Sequence, residues 1–188
     1  MEVNLWLFPV IFMVHEMEEI VGFRVWFEKN LDLIEKYSIL RKLYRNFSTE
    51  GFSVAVLEEY VICIVVTYVA TIWKVYIVWT GVFIAFLIHL LIHIAQSIVV
   101  RRYIPSLISS IVLFPGSVYL VYSSVEYLGL TFESIVAASI LCVILMFLNL
   151  IFVHWIMGVV TRKIAENAMK RCSTKQPSDS SQFWRSSR

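Results

Sequence analysis

The chain has 188 residues, of which 59% are hydrophobic and 16% are charged, and its formal net charge is +2. Ordinary soluble domains are about 45–50% apolar and about 25% charged, so a single soluble core of this length could not bury so much apolar surface. The small net charge excludes the strongly basic class of nucleic-acid-binding proteins. We therefore expect the lipid bilayer to be the main partner of the chain.

Five apolar segments are each long enough to cross a hydrocarbon layer of about 30 Å, which needs about 20 helical residues. Because backbone groups in lipid must satisfy their own hydrogen bonds, we predict that each segment is a helix. The five predicted spans are Leu5–Phe27, Phe52–Trp73, Val75–Val99, Ser106–Tyr127 and Ile135–Val160. The predicted fold is all-α: a polytopic membrane helix bundle formed by residues 1–165.

The connections between spans add three expectations. Between the first two spans, apolar residues recur near helical spacing among charged residues, which predicts one amphipathic helix on the membrane surface. These apolar residues are Leu31, Leu33, Ile34, Tyr37, Leu40 and Leu43. Pro115 followed by glycine predicts a kink in the fourth span. Residues 166–188 are predicted to be a basic cytoplasmic tail, disordered beyond about Cys172.

Basic residues predict the orientation of the spans, because cytoplasmic loops carry an excess of Lys and Arg. The first connection, the third connection with Arg101 and Arg102, and the C-terminal tail are all basic, whereas the opposite side holds only Lys74. Five spans with the N-terminus outside and the C-terminus in the cytoplasm satisfy this pattern. The sequence thus predicts a multi-pass protein of the cell membrane.

All four histidines lie inside predicted spans, where ionisable groups are costly and mark functional sites or relays. In the first span, His15, Glu18 and Glu19 are related by i, i+3 and i+4, so they share one face within an arc of about 100°. Glu16 lies outside that arc. In the third span, His89 and His93 are one turn apart.

Polar groups in four of the predicted spans lie at the same predicted depth in the membrane. One polar group in each of four spans lies eight or nine residues from the charged residue that marks the cytoplasmic end. These groups are His15, Glu58, His93 and His154. At 1.5 Å per residue they all lie about 12–14 Å inside that end. We therefore predict a single site in which imidazoles and carboxylates from separate helices converge.

Some of these positions leave alternatives open. Glu58 and Glu59 are about 100° apart on their helix, so at most one of them should face inward. His154 is equally well explained as a structural hydrogen-bonding residue. Asn149 and His154 are about 140° apart, so both can join one site only if their helix is distorted.

The residue types predict a divalent metal, zinc or iron. Two imidazoles one helical turn apart can bind one cation, and carboxylates and imidazoles buried without a cation or a proton chain are energetically costly. The predicted metal ligands are His15, Glu18, Glu19, Glu58, His89, His93 and His154. Gln96 and Asn149 are predicted to support them, and Glu18 and Glu19 are the predicted catalytic carboxylates.

The motif His15-Glu16-Met17-Glu18-Glu19 resembles the His-x-x-Glu-Glu signature of the HXXEE family of bacterial membrane proteins. The resemblance extends to a second block, whose matching residues are His89, His93, Gln96, Arg102, Tyr103, Pro105 and Pro115. Pro105 is followed by Ser106 where relatives are expected to have a Pro-Gly turn. The resemblance implies a membrane protein with a polar centre, and it implies no particular reaction.

Three functions remain open at this point. The first is a metal-dependent enzyme, either zinc hydrolase-like or di-iron oxidase-like, acting on a hydrophobic small molecule, lipid or peptide in the membrane. The second is a small carrier coupled to protons or cations, which uses the same residues as a relay and reaches carrier size as an oligomer. The third is a structural or regulatory membrane subunit, with no reaction of its own.

Overall fold

The computed structural model describes residues 4–36, 38, 41 and 47–175, with side chains as far as Arg171. Within these ranges the chain forms six helices and no strand. The helices are α1 (Leu7–Lys29), α2 (Leu31–Lys36), α3 (Thr49–Trp73), α4 (Tyr76–Val100), α5 (Leu107–Leu128) and α6 (Phe132–Lys175). The predicted all-α membrane helix bundle is confirmed.

Four helices are long and apolar enough to cross a membrane: α3, α4, α5 and the segment Phe132–Arg171 of α6. The chain is therefore a membrane protein. Helix α1 is 23 residues long but is absent from this group. Its three glutamates, Glu16, Glu18 and Glu19, make it more highly charged than the other four predicted spans.

The backbone of α4 lies close to α3, α5 and α6, and that of α1 lies close to α3 and α5. Helix α1 contacts α4 through long side chains such as Phe8. Small residues allow α6 to approach its neighbours closely. A Cβ atom on Gly81 of α4 would lie 2.9 Å from Cys142 Sγ and 3.1 Å from the Ala138 carbonyl oxygen. A Cβ atom on Gly51 of α3 would lie 2.8 Å from the Met157 carbonyl oxygen. Glycine is thus required at both helix contacts.

Helix α1 turns one stripe of side chains toward the interior, and aromatic residues dominate that stripe. Phe8 lies against Phe83 of α4, with ring centroids 4.7 Å apart. Three polar residues are buried on the same side of α1 as these rings. The buried side of α1 contains Phe8, Pro9, Phe12, His15, Glu16, Glu19, Phe23 and Trp26. The packing of the aromatic rings therefore fixes the direction in which the polar residues point.

The loop between α4 and α5 is fixed to α1 and has an unusual backbone. The indole Nε1 of Trp26 donates a hydrogen bond of 2.5 Å to the Tyr103 carbonyl oxygen. Ser106 has φ 84°, a left-handed conformation that favours glycine. Its hydroxyl donates to the carbonyl oxygen of Pro105. Glycine, which relatives are expected to have at this position, would adopt this backbone without strain.

Helix α2 belongs to the predicted amphipathic segment. Its Leu33 and Ile34 are buried in a cluster with Phe23 and Trp26 of α1. Asp32 faces away from this cluster and pairs with Arg102, and the hydrogen bond from the guanidinium lowers the pKa of the Asp32 carboxyl. The rest of the segment, with Tyr37, Leu40 and Leu43, lies outside the described residues.

Two further features of the sequence can be located. Helix α6 continues to Lys175, well past the predicted end of the fifth span, because residues 161–171 are mostly good helix formers such as Lys, Arg, Ala, Glu and Met. Residues 176–188 of the predicted disordered tail lie outside the described residues.

Pro115 lies inside α5, which is a single helix, and the kink there stays a prediction.

Candidate metal centre

Three imidazoles meet between α1 and α4. The ring nitrogens of His15, His89 and His93 that could bind a metal lie within 4.8 Å of one another. His15 is fully buried, and the side chains of His89 and His93 are only 19% and 12% exposed. The Nε2 atoms of His89 and His93 are 2.9 Å apart. The structure therefore brings together three of the seven predicted metal ligands.

The hydrogen bonds of His15 determine which of its nitrogens is free. Its Nδ1 lies 3.0 Å from the Ser109 hydroxyl, and that hydroxyl donates to the Ser106 carbonyl oxygen at 3.2 Å. The Ser109 oxygen therefore accepts the Nδ1 proton, which leaves a lone pair on Nε2. This Nε2 is buried and has no hydrogen-bond partner among the described residues. Metal-binding histidines commonly have this arrangement, with the second ring nitrogen donating to the protein.

The spacing of the nitrogens can be compared with that of a bound zinc ion. Two nitrogens at about 2.0–2.1 Å from a tetrahedral ion are about 3.3–3.4 Å apart. The 2.9 Å between the Nε2 atoms of His89 and His93 is slightly shorter, and the upper limit of 4.8 Å for the cluster is longer. Side-chain shifts on the order of 1 Å would reconcile these distances with those of a bound ion. The residues therefore fit one divalent ion.

Two buried carboxylates of α1 lie beside the imidazoles of α4. Glu19 Oε1 is 3.2 Å from His93 Nε2, and Glu16 Oε1 is 3.8 Å from His89 Nε2. Each α4 imidazole thus has one carboxylate neighbour. A carboxylate in this position can supply an oxygen ligand or accept a proton.

Glu16 corrects the sequence prediction, which placed it outside the shared face. The arc that contains His15, Glu16 and Glu19 is about 100° wide, the same width as the arc that contains His15, Glu18 and Glu19. The spacing of histidine and glutamate alone therefore could not show whether Glu16 or Glu18 faces the site. The aromatic stripe of α1 could have done so, because Phe12 lies about 40° from Glu16 and about 120° from Glu18 around the helix.

Glu18 has a different environment, because its carboxylate caps α5. Its Oε2 accepts a hydrogen bond of 2.7 Å from the Ser109 amide. Its Oε1 accepts from the Tyr103 hydroxyl at 2.7 Å and from the Ile108 amide at 3.3 Å. Burial and the neighbouring Glu18 raise the pKa of Tyr103 to about 12. The structure thus gives Glu18 a positioning role at the start of α5, outside the imidazole cluster, and its roles as metal ligand and catalytic carboxylate stay predictions.

The adjacent glutamates of α3 have separate environments. Glu58, the predicted ligand, accepts a hydrogen bond of 3.2 Å from the Asn149 side-chain amide on α6. Glu59 instead lines the interior cavities together with Glu16 and His89. Of the two, Glu59 therefore faces the centre. Glu58 and Asn149 connect α3 to α6 outside the imidazole cluster, and Asn149 also lines one of these cavities.

His154 and Gln96 lie in a cavity wall, and the Gln96 side chain interacts with that of His93. The Nδ1 of His154 donates to the Leu150 carbonyl oxygen of its own helix at 2.5 Å. Both residues line a cavity of about 290 Å³ that also borders Glu19 and His93. His154 thus has the structural hydrogen bond that the sequence left open, and its ring still borders the same space as the cluster.

A second, larger cavity adjoins the first. It has a volume of about 570 Å³, is lined mainly by apolar side chains of α1, α3, α4 and α6, and lies toward the end of the bundle that carries Val78. The two cavities share four residues: Glu16, Glu59, His89 and Leu150. The buried carboxylates and imidazoles therefore lie at the junction between an apolar space and a more polar one.

Comparison with known proteins identifies the family but no reaction. The profile of a family described as proteins of unknown function with an HXXEE motif matches residues 6–120. No curated protein and no solved structure matches the chain. The matched range is more than half of the chain and includes His15, His89 and His93. The chain therefore belongs to the HXXEE family.

Proposed function

We propose that the protein is a metal-dependent, multi-pass enzyme of the cell membrane that acts on a substrate dissolved in the bilayer. The observation that carries this proposal is the cluster of His15, His89 and His93 between two helices. Buried carboxylates stand next to two of these imidazoles. Nitrogen and carboxylate donors suit zinc and iron.

The membrane topology in this proposal includes α1 as a fifth span. Outside its buried stripe, α1 exposes apolar side chains along most of its length. The exposed apolar residues of this helix include Val10, Val14, Met17, Val21 and Val25. An apolar outer surface and a polar inner one suit a helix that faces lipid and encloses a site. The basic residues then put the N-terminus outside and the C-terminus in the cytoplasm.

In this enzyme His15, His89 and His93 would hold the metal, and Glu16 would supply an oxygen ligand. A divalent ion bound there would supply Lewis-acid activation of water or of a carbonyl group. Ser109 fixes the His15 ring through its Nδ1. Glu19 lies 3.2 Å from His93 Nε2, so this carboxylate can take a proton from water as a general base. A hydrolase-like reaction uses these groups most directly.

An oxidase-like reaction with two iron ions would need more ligands than this cluster. The additional donors would come from Glu16, Glu59 and His154, which line the cavity beside it. The metal distinguishes the two enzymes, because bound zinc is colourless, whereas a di-iron centre absorbs visible light. We expect purified protein to contain about one metal ion per chain and to be colourless.

The carrier hypothesis is supported by a different observation. Glu16, His89, His93 and Glu19 form consecutive contacts of 3.8, 2.9 and 3.2 Å. Such a chain of ionisable groups can pass protons through a membrane protein. A carrier would use it to couple proton movement to transport, with no need for a bound metal.

One pair of assays distinguishes enzyme from carrier. Purified protein is tested for hydrolysis of long-chain esters and amides, with metal bound, after chelation and after metal is restored. The same preparation is reconstituted in liposomes and tested for flux driven by a pH gradient. We expect metal-dependent hydrolysis that Glu19→Gln abolishes while it retains the metal. Flux that persists after chelation, together with no hydrolysis, would establish the carrier instead.

A further inference from the structure

We propose that the larger cavity binds the hydrocarbon chain of a single-chain amphiphile whose uncharged head group lies beside Glu16 and His89. This ligand would be the substrate class of the enzyme, and to that extent the inference rests on the proposed function. The binding itself depends on the cavity and can be tested without the metal. The length of the cavity, the position of its opening and the charged residues at its inner end each support this ligand.

The length of the cavity matches one hydrocarbon chain. Along α4 it is lined from Val78 to His89, and eleven residues of helix correspond to about 16 Å. One leaflet of a hydrocarbon core of about 30 Å is about 15 Å thick, which is the length that one acyl chain fills in a bilayer. The volume of about 570 Å³ lies within the usual range for small-molecule sites.

The cavity opens sideways, toward lipid. Leu145 and Leu148 of α6 both line it and are 53% and 58% exposed. Ile62 of α3 also lines it and is 38% exposed. Side chains that border an interior space and are also exposed mark its mouth. Because these three are apolar and lie in candidate membrane spans, a hydrocarbon chain can enter directly from the bilayer.

The charge at the inner end of the cavity determines the head group. Glu16 and Glu59 lie there, and no lysine or arginine lines either cavity in the described part of the chain. A phosphate or carboxylate head would bring a negative charge into a poorly solvated space that has no cationic side chain, which is costly. The divalent ion of the proposed enzyme would already be balanced by the neighbouring carboxyl groups of Glu16, Glu19 and Glu59. An alcohol, ester or amide can instead hydrogen-bond to Glu16 or His89.

The binding test uses full-length protein in nanodiscs of phosphatidylcholine and a long-chain alcohol that carries a photoreactive diazirine in its chain. We expect hexadecanol to reduce photolabelling of the protein, and hexadecyl phosphate at the same concentration to leave it unchanged. Equal competition by the phosphate, or no saturable labelling above the lipid background, would overturn the proposal. In the latter case the surrounding phospholipid or no ligand at all occupies the cavity.

Cavity variants add a measurement of chain length. Val82 lies seven residues from His89, so Val82→Phe shortens the usable cavity from about 16 Å to about 10 Å. We expect hexadecanol to compete about tenfold less well, a change of about 1.4 kcal/mol, and decanol to compete as before. Val112→Phe, on an exposed position of α5, is the matched control and should change neither. If Val82→Phe does not fold, Val78→Trp at the far end of the cavity replaces it. An unchanged chain-length preference in a folded cavity variant would contradict the proposal.

The proposed metal centre and the proposed lipid site can be tested independently of each other. His15 is a predicted ligand of the metal but does not line the larger cavity. His15→Ala should therefore remove the metal and leave hexadecanol competition intact. If hexadecanol binds a wild-type protein that contains no metal, the proposed enzyme is wrong and the lipid site stands. If the protein contains the metal but does not bind hexadecanol, the proposed lipid site is wrong and the proposed metal centre stands.

Discussion

The substitution Glu18→Gln separates the positioning glutamate of the HXXEE motif from the glutamates at the centre. In the structure the Glu18 carboxylate accepts hydrogen bonds from two backbone amides at the start of α5 and from the Tyr103 hydroxyl. A glutamine keeps one acceptor oxygen and loses the negative charge. We therefore expect the protein to become less stable while its metal stays bound.

The size of this effect follows from the contacts. A hydrogen bond to a charged group contributes about 1.5–3 kcal/mol, and a negative charge at a helix N-terminus about 0.3–1 kcal/mol. Because Glu18 is partly exposed and glutamine keeps one acceptor, we expect a net loss of about 1–2 kcal/mol in the free energy of unfolding. Glu19→Gln should change stability less, because it also removes a costly buried charge.

The assay combines unfolding of the purified protein in detergent with elemental analysis of the same samples. Glu28→Gln is the control, because Glu28 is exposed and its ion pair is with Arg24 of the same helix. It should match wild type in both measurements. The reasoning is refuted if Glu18→Gln loses the metal at unchanged stability, since Glu18 would then be a ligand, as its place in the motif first predicted.

Three further substitutions test the loop and the residues behind the cluster. Ser109→Ala should weaken metal binding about 10- to 100-fold, since it removes the hydrogen-bond partner of His15, a proposed metal ligand. Ser110→Ala, at a buried hydroxyl with no partner among the described residues, should not; equal losses would contradict the role of Ser109. Ser106→Gly should be more stable than Ser106→Ala by about 1 kcal/mol, because both lose the hydroxyl and only glycine relieves the left-handed backbone. Comparable stabilities in thermal unfolding would show that φ is unstrained. In the folded protein the pKa of Tyr103 is raised from 10.0 to about 12. The contribution of this tyrosine to stability is therefore complete below pH 10 and is lost as the pH rises through about 12. Tyr103→Phe should remove that part of the pH dependence, and an unchanged profile would contradict the contact with Glu18.

The convergence of His15, His89 and His93 could be predicted because it depends mainly on depth. Rise per residue in a helix is fixed, and basic residues mark the predicted cytoplasmic end, so counting residues gives each side chain a predicted level in the membrane. Helices that cross the same bilayer share those levels. The level of each imidazole along the bundle could therefore be predicted from the sequence.

The direction of each side chain around its helix was harder to predict. Glu16 and Glu18 lie on opposite sides of His15, and their spacing fits the shared face equally well. The choice depends on which face of α1 packs against α4, which is decided by contacts between residues distant in sequence, such as Phe8 with Phe83. A motif read without its aromatic neighbours therefore favoured Glu18.

The remaining differences have similar causes. Whether Glu58 or Glu59 turns inward depends on how α3 lies against α6, where Asn149 provides a partner for Glu58. His154 forms a hydrogen bond within its own helix, an alternative that local sequence permits but does not select. The capping of α5 by Glu18 joins residues about ninety positions apart, and no periodic pattern along the chain predicts such a contact.

The central claim is that imidazoles from α1 and α4 bind one metal ion together. The most direct measurement is the metal-to-protein ratio of purified wild type, His15→Ala, His89→Ala/His93→Ala and His154→Ala. We predict about one ion per chain in wild type and His154→Ala, and a loss of the metal from the other two variants. A wild-type protein without metal, or a metal that survives removal of both α4 imidazoles, would contradict the claim.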